Sequence, residues 1–123
     1  MDSPTISRLE ELVIKFRNDR DWSQFHNPKD VALSLALEVA ELLELMQWKN
    51  GQQLDVYLQE KRIEVGEELS DILYWILLLA HDLKIDLGMA FFEKMAKNEA
   101  KYPVEQAKGS SAKYLHLKPS SRL

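Results

Sequence analysis

Ile6, Leu9, Val13 and Phe16 fall on one stripe of a helix, with polar residues between them, the spacing of an amphipathic first element. Ser3 followed by Pro4 supplies a cap and a first helical position, because serine accepts from an early backbone N–H and proline has none to leave unpaired. This helix is expected to end between Asn18 and Asp21. After the linker DWSQFHNPKD, in which Asn27 and Pro28 repeat the cap-plus-proline signal, residues Asp30 to Trp48 are apolar on every side, interrupted by Glu38, Glu41 and Glu44. Asn50-Gly51 reads as the stop of this second helix. From Gln52 to Glu60 the pattern is weak, enough for one helical turn or two outside the core. Lys61 to Leu83 forms a third main helix, and Asp86 caps a fourth whose stripe Leu87, Phe91 and Met95 runs on to Tyr102, with Pro103 at its end. No segment has the alternation of a half-buried strand and no repeat is present. The pattern predicts an all-α chain, a four-helix bundle of residues 1–108 followed by an extended tail at 109–123.

A helix apolar all round is normally buried, and that changes the meaning of its glutamates. Ionised carboxylates are almost never buried without a partner, and this segment contains no Lys, Arg or His. Glu38 and Glu41, three apart, project from one side. The third helix repeats the anomaly: Glu64, Glu68 and Asp71 form a stripe that continues to Trp75 and runs into apolar residues from Ile72 to Ala80. Two facing helices, each with an acidic pair three apart, make a box of four carboxylates. Its compensation is a metal ion, shared protons, or basic groups from elsewhere in the fold.

Composition narrows the chemistry. The chain has 123 residues, 46% of them hydrophobic, which suits one domain with its own core. The absence of cysteine excludes disulfides, thiolate-bound zinc and a thiol nucleophile, and fits a reducing interior. The first residues have neither the basic head nor the apolar run of a secretory signal, and Ile72 to Leu83 is too short to span a bilayer. A cytoplasmic protein without membrane or nucleic-acid partners is expected, since a net charge of −4 opposes a nucleic-acid-coating surface. An acidic protein that binds a phosphorylated ligand needs a cation as a bridge. Oxygen-only ligation points to Mg²⁺, or Mn²⁺, and from there to phosphate chemistry. Lys94 and Asn98, four apart, with Lys101 and Tyr102 a turn further on, offer donors suited to phosphate or sugar oxygens. Trp22, Trp48 and Trp75 are candidates to sandwich a flat base. Trp22, Phe25 and His26 together also suit the plainer task of sealing the end of a bundle.

The runs WSQFHNPKDVALSLALEVAELLELMQW, EELSDIL and KNEAKYPVEQAKGSSAKY resemble the all-α nucleoside triphosphate pyrophosphohydrolases of the MazG-like superfamily, within it the dCTP pyrophosphatase branch. The resemblance covers roughly Phe16 to Tyr114. It implies metal ligands at Glu38, Glu41, Glu68 and Asp71, base-pocket roles for Trp22, His26 and Trp48, and phosphate and sugar roles for Lys94, Asn98 and Tyr102. It also implies a homodimer or a homotetramer built as a dimer of dimers, consistent with helices too apolar for one short bundle. Where the dCTP branch usually has tyrosine, four residues after the motif aspartate, this chain has Trp75, with Tyr74 beside it. The expected activity is Mg²⁺-dependent conversion of a nucleoside triphosphate, dCTP or a modified pyrimidine deoxynucleotide, to the monophosphate and pyrophosphate, with Glu41 favoured as general base. Two other classes remain: a non-catalytic nucleotide-sensing oligomer, and a di-iron bundle. The second expects Glu-x-x-His pairs, which this chain lacks.

Overall fold

The computed structural model describes residues 2–112. Among them all regular structure is helical: α1 (Ile6–Asp19), a 3₁₀ turn (Ser23–Phe25), α2 (Pro28–Met46), α3 (Gly51–Glu60), α4 (Arg62–Asp82), α5 (Leu87–Lys101) and α6 (Val104–Ala107). No helix among the described residues is long and apolar enough to cross a membrane. The chain divides into two compact units, the first closing at Ile85 and the second opening at Asp86.

Local chemistry sets most boundaries. Asn27 Oδ1 accepts from the Asp30 N–H at 3.0 Å while its Nδ2 donates to the Asp30 carboxylate at 2.7 Å, so α2 begins where Asn27-Pro28 predicts. Asp86 Oδ1 likewise accepts from the Met89 N–H at 3.0 Å and starts α5; such caps contribute about 1 kcal/mol each. Three expectations are corrected. The cap of α1 is Thr5, whose hydroxyl accepts from the Arg8 N–H at 3.1 Å, and not Ser3. Asn50-Gly51 does not stop α2, which already ends at Met46; it opens α3, with Asn50 in the cap position. Nor is α3 a turn or two: its ten residues fill the stretch whose pattern was weak, and it packs on α4. The described chain therefore has α3 and the single-turn α6 in addition to the four principal helices expected. Most of the tail proposed at 109–123 lies outside the described residues.

In the first unit α4 is the central element. α2 lies along it most extensively, α1 next and α3 least. Val31 of α2 and Leu77, Leu78 and Ala80 of α4 are the buried apolar residues. α1 is fastened to the last turn of α4 by Arg17, whose guanidinium donates twice to Asp82, at 2.7 and 2.8 Å. Arg17 is 5% exposed, and its hydrogen bonds, followed by its charge, hold Asp82 below the usual carboxylate range. A second pair, His81 Nδ1 to Glu10 at 3.4 Å, joins the same helices. α2 is not enclosed as its composition predicts: Leu33, Leu37 and Leu43 stay 56–66% exposed in the single chain.

Candidate functional site

α2 and α4 present their acids to each other. Oxygens of Glu38, Glu41 and Glu68 lie within 4.8 Å of one another, so one ion could touch all three. The i, i+3 spacing in α2 puts Glu38 and Glu41 on the side that meets Glu68 of α4. Glu64, on the same stripe, does not join them, and Asp71 stands outside the group of three. Asp71 is nevertheless close enough for its charge to raise the pKa of both Glu38 and Glu68.

Among the described residues no ion pair involves Glu38, Glu41, Glu68 or Asp71. Of the three ways to hold such acids, the described residues supply no basic partner, so shared protons and a metal ion are the two that their arrangement supports. Burial, followed by hydrogen bonding to Glu41 and the neighbouring negative charges, pushes Glu38 up to about 7. Glu68 is also raised, by burial and then by the charge of Glu41. One oxygen of Glu38 and one of Glu68 are buried without a hydrogen-bond partner. Acceptors left without a donor in this way are unfavourable. The cluster is all oxygen, so the donor set fits a hard divalent cation, which would satisfy both atoms and drive off the proton.

Beside the acids is a cleft of about 500 Å³ lined by Leu12, Val13, Phe16, Trp22, Glu38, Asp71, Tyr74 and Trp75. One side is acidic and the other aromatic. Phe16 meets Trp22 and Tyr74 edge-on, at 5.7 and 6.0 Å between centroids. Trp75 meets Tyr74 at 5.0 Å and His26 at 5.6 Å in the same manner. The backbone N–H of Trp22 donates to the Arg17 carbonyl at 3.1 Å, which ties the main chain at Trp22 to the residue that grips Asp82. Trp22, Trp75 and His26 are thus brought together.

Trp48 stands apart from this group. It is 86% exposed and does not line the cleft; it follows the end of α2 with a left-handed φ of 73°, uncommon for a bulky side chain. Lys94, Asn98 and Tyr102 belong to the second unit, Lys94 in the middle of α5, Asn98 in its last turn and Tyr102 just past its end. Sequence reasoning missed Leu12, Val13, Phe16 and Tyr74 as cleft residues, because an apolar stripe has the same spacing whether it faces a helix or an opening.

The family pattern of the MazG-like family matches residues 33–117, a stretch that contains both acidic pairs. The chain belongs to the MazG-like family. Among MazG-like relatives, dCTP pyrophosphatase 1 of Bos taurus is 40% identical over 116 residues, covering 93% of this chain and 69% of that protein. The Homo sapiens protein of the same name is 39% identical, covering 93% and 68%. A solved structure of a pyrophosphatase from Archaeoglobus fulgidus DSM 4304 superposes with a TM-score of 0.75 at 36% identity, over 84% of this chain and 96% of that one.

Proposed function

We propose that this protein is a nucleoside triphosphate pyrophosphohydrolase acting on dCTP or a related pyrimidine deoxynucleotide. The observation that carries the reading is the carboxylate cluster beside an aromatic cleft, in a chain about 40% identical to proteins named dCTP pyrophosphatase 1. Glu38, Glu41 and Glu68 hold Mg²⁺, or Mn²⁺, with Asp71 adjacent as the fourth acid. When bound, the cation neutralises phosphate charge and polarises the phosphoryl oxygens. Trp22, Trp75 and His26 place the base, and Trp48, open at the end of α2, is available to stack on it. Lys94, Asn98 and Tyr102 supply donors for phosphate and sugar oxygens. A water attacks the α-phosphorus, the bond from that phosphorus to the bridging oxygen breaks, and pyrophosphate leaves. The proton of the water passes to Glu41, the exposed member of the three acids.

The catalytic unit is residues 1–108 in a four-helix arrangement, working as a homodimer or homotetramer. The exposed leucines of α2 support a second copy as their cover. A nucleotide-pool substrate and a cysteine-free chain suit the cytoplasm, with no membrane or nucleic-acid partner. The test is incubation with each deoxynucleoside triphosphate and Mg²⁺ and analysis of the products. Monophosphate and pyrophosphate are expected, most rapidly from a pyrimidine. Failure to release pyrophosphate from any canonical or modified nucleotide overturns the reading, and tight binding without turnover identifies a nucleotide sensor instead.

A further inference from the structure

The polar group of the cleft that the mechanism above leaves unused is the hydroxyl of Tyr74. Tyr74 is half-buried in the cleft wall. Its ring is wedged between two others, with Phe16 edge-on at 90° and Trp75 at 88°, so the direction of its C–O bond is fixed. No described residue takes up the hydroxyl. Burial raises its pKa, against the positive charges of Arg17 and Arg20, which keeps it a neutral phenol with a proton to give. Arg17 is committed to Asp82 through both terminal nitrogens. Arg20 is not: it donates once, to the Phe16 carbonyl at 3.1 Å, and its guanidinium lies 3.8 Å over the Phe16 ring and 6.0 Å from that of Trp22. A guanidinium has five N–H donors, so donors remain beside the ring of Phe16, one of the residues that line the cleft.

We propose that Tyr74 is a specificity-determining residue, its hydroxyl donating to the acceptor edge of a cytosine stacked on the aromatic wall, with the Arg20 guanidinium as the second donor. The proposal rests on the nucleotide reading above and adds the group that separates one base from another. A hydroxyl near guanidinium charge turns its lone pairs toward that charge and its proton outward, so the pair acts as two donors. Cytosine offers two adjacent acceptors, O2 and N3. In uracil and thymine N3 carries a hydrogen, so a doubly donating site meets one acceptor and one clash of donors. A site built to hydrogen-bond its ligand rejects the mismatched analogue because buried polar groups are then left unpaired.

The experiment measures equilibrium binding of dCMP, dUMP and dTMP to the full chain by calorimetry, for the wild type, Tyr74→Phe and Arg20→Gln. Tyr74→Phe removes the hydroxyl and keeps the ring; Arg20→Gln alters an exposed residue. Either variant is expected to weaken dCMP binding about five- to tenfold, the range of one hydrogen bond, with under about twofold change for dUMP and dTMP. In turnover the same loss falls on KM for dCTP and leaves kcat in place. Unchanged dCMP affinity in both variants, or equal weakening for all three bases, overturns the proposal. If Tyr74→Phe does not fold, Arg20→Gln decides alone. A wild type that binds dCMP in preference to dUMP but cleaves no triphosphate overturns the hydrolase reading and not this one; a wild type that binds none of the three overturns this one.

Discussion

At the scale of single residues, Glu38 decides what the acidic cluster costs. Its unfolded value is near 4.5 and its folded value about 7, so the native chain retains a proton that the unfolded chain releases. Below about 4.5 both states are protonated and the residue costs nothing. As the pH rises from there to about 7 the penalty accumulates, and above 7 it is constant. In EDTA, the thermal midpoint is therefore expected to fall across that interval, and Glu38→Gln is expected to flatten the fall; a wild-type midpoint level from pH 4.5 to 7 would contradict the assignment. Replacing Glu41 with Ala is expected to reduce turnover by about a hundredfold or more, since in the proposed mechanism this residue is both a cation ligand and the proton acceptor. In EDTA the same variant should melt at the wild-type temperature or a few degrees higher, because one crowded carboxylate fewer relieves repulsion. A markedly lower midpoint would mean that Glu41 serves in a structural pair. Trp48 is a different case, since nothing in the cleft holds it. Stacking on a base is much the same before and during reaction, so Trp48→Ala is expected to raise KM about tenfold and leave kcat nearly unchanged, from a stacking free energy of about 1–3 kcal/mol. Steady-state kinetics with dCTP checks this, and an unchanged KM would remove Trp48 from the site.

At the scale of elements, the wall of the cleft depends on how α1 is fastened to α4. Arg17 grips Asp82 with its side chain and receives the backbone N–H of Trp22 at its carbonyl. Asp82→Asn leaves a guanidinium buried opposite a neutral group, which is expected to cost about 3 kcal/mol and to loosen Trp22, raising KM as well. Calorimetric unfolding with matched kinetics checks both effects. For the wild type, the contribution of Asp82 is complete above its unfolded value near 3.8 and is lost as the pH falls through its lower folded value. This acid window is distinct from that of Glu38. Sequence could reveal the caps at Asn27 and Asp86, because a cap is a local hydrogen bond between near neighbours. It could not separate Ser3 from Thr5, since either hydroxyl can serve. It underestimated α3, whose residues carry little periodicity and pack on α4 through contacts distant in sequence. The acids at i, i+3 in two helices were legible as a pair of pairs. That Glu38, Glu41 and Glu68 close into one group while Asp71 stands outside it depends on how two helices approach, which spacing does not encode. The pairing of Arg17 with Asp82 was invisible for the same reason.

At the scale of the whole molecule, the all-helical architecture follows from the absence of any strand-like alternation. The all-round apolar character of α2 predicted burial that the single chain does not supply. Leu33 and Leu37 lie one helical turn apart, with Leu43 further along α2; together they offer an uncovered surface of the kind that marks an interaction site. If a second copy covers it, stability is no longer a property of one chain but of its concentration. Association favours the folded state by mass action, so the thermal midpoint is expected to rise as protein is concentrated and to fall on dilution. Activity per chain should decline over the same range wherever assembly supports the site. Light scattering together with melting curves across a hundredfold dilution series checks the expectation, and Leu37→Glu should shift the dissociation to higher concentration. The exposed leucines of α2 would then act as a gauge of how much of the protein is present, switching the helix from liability to framework as copies meet.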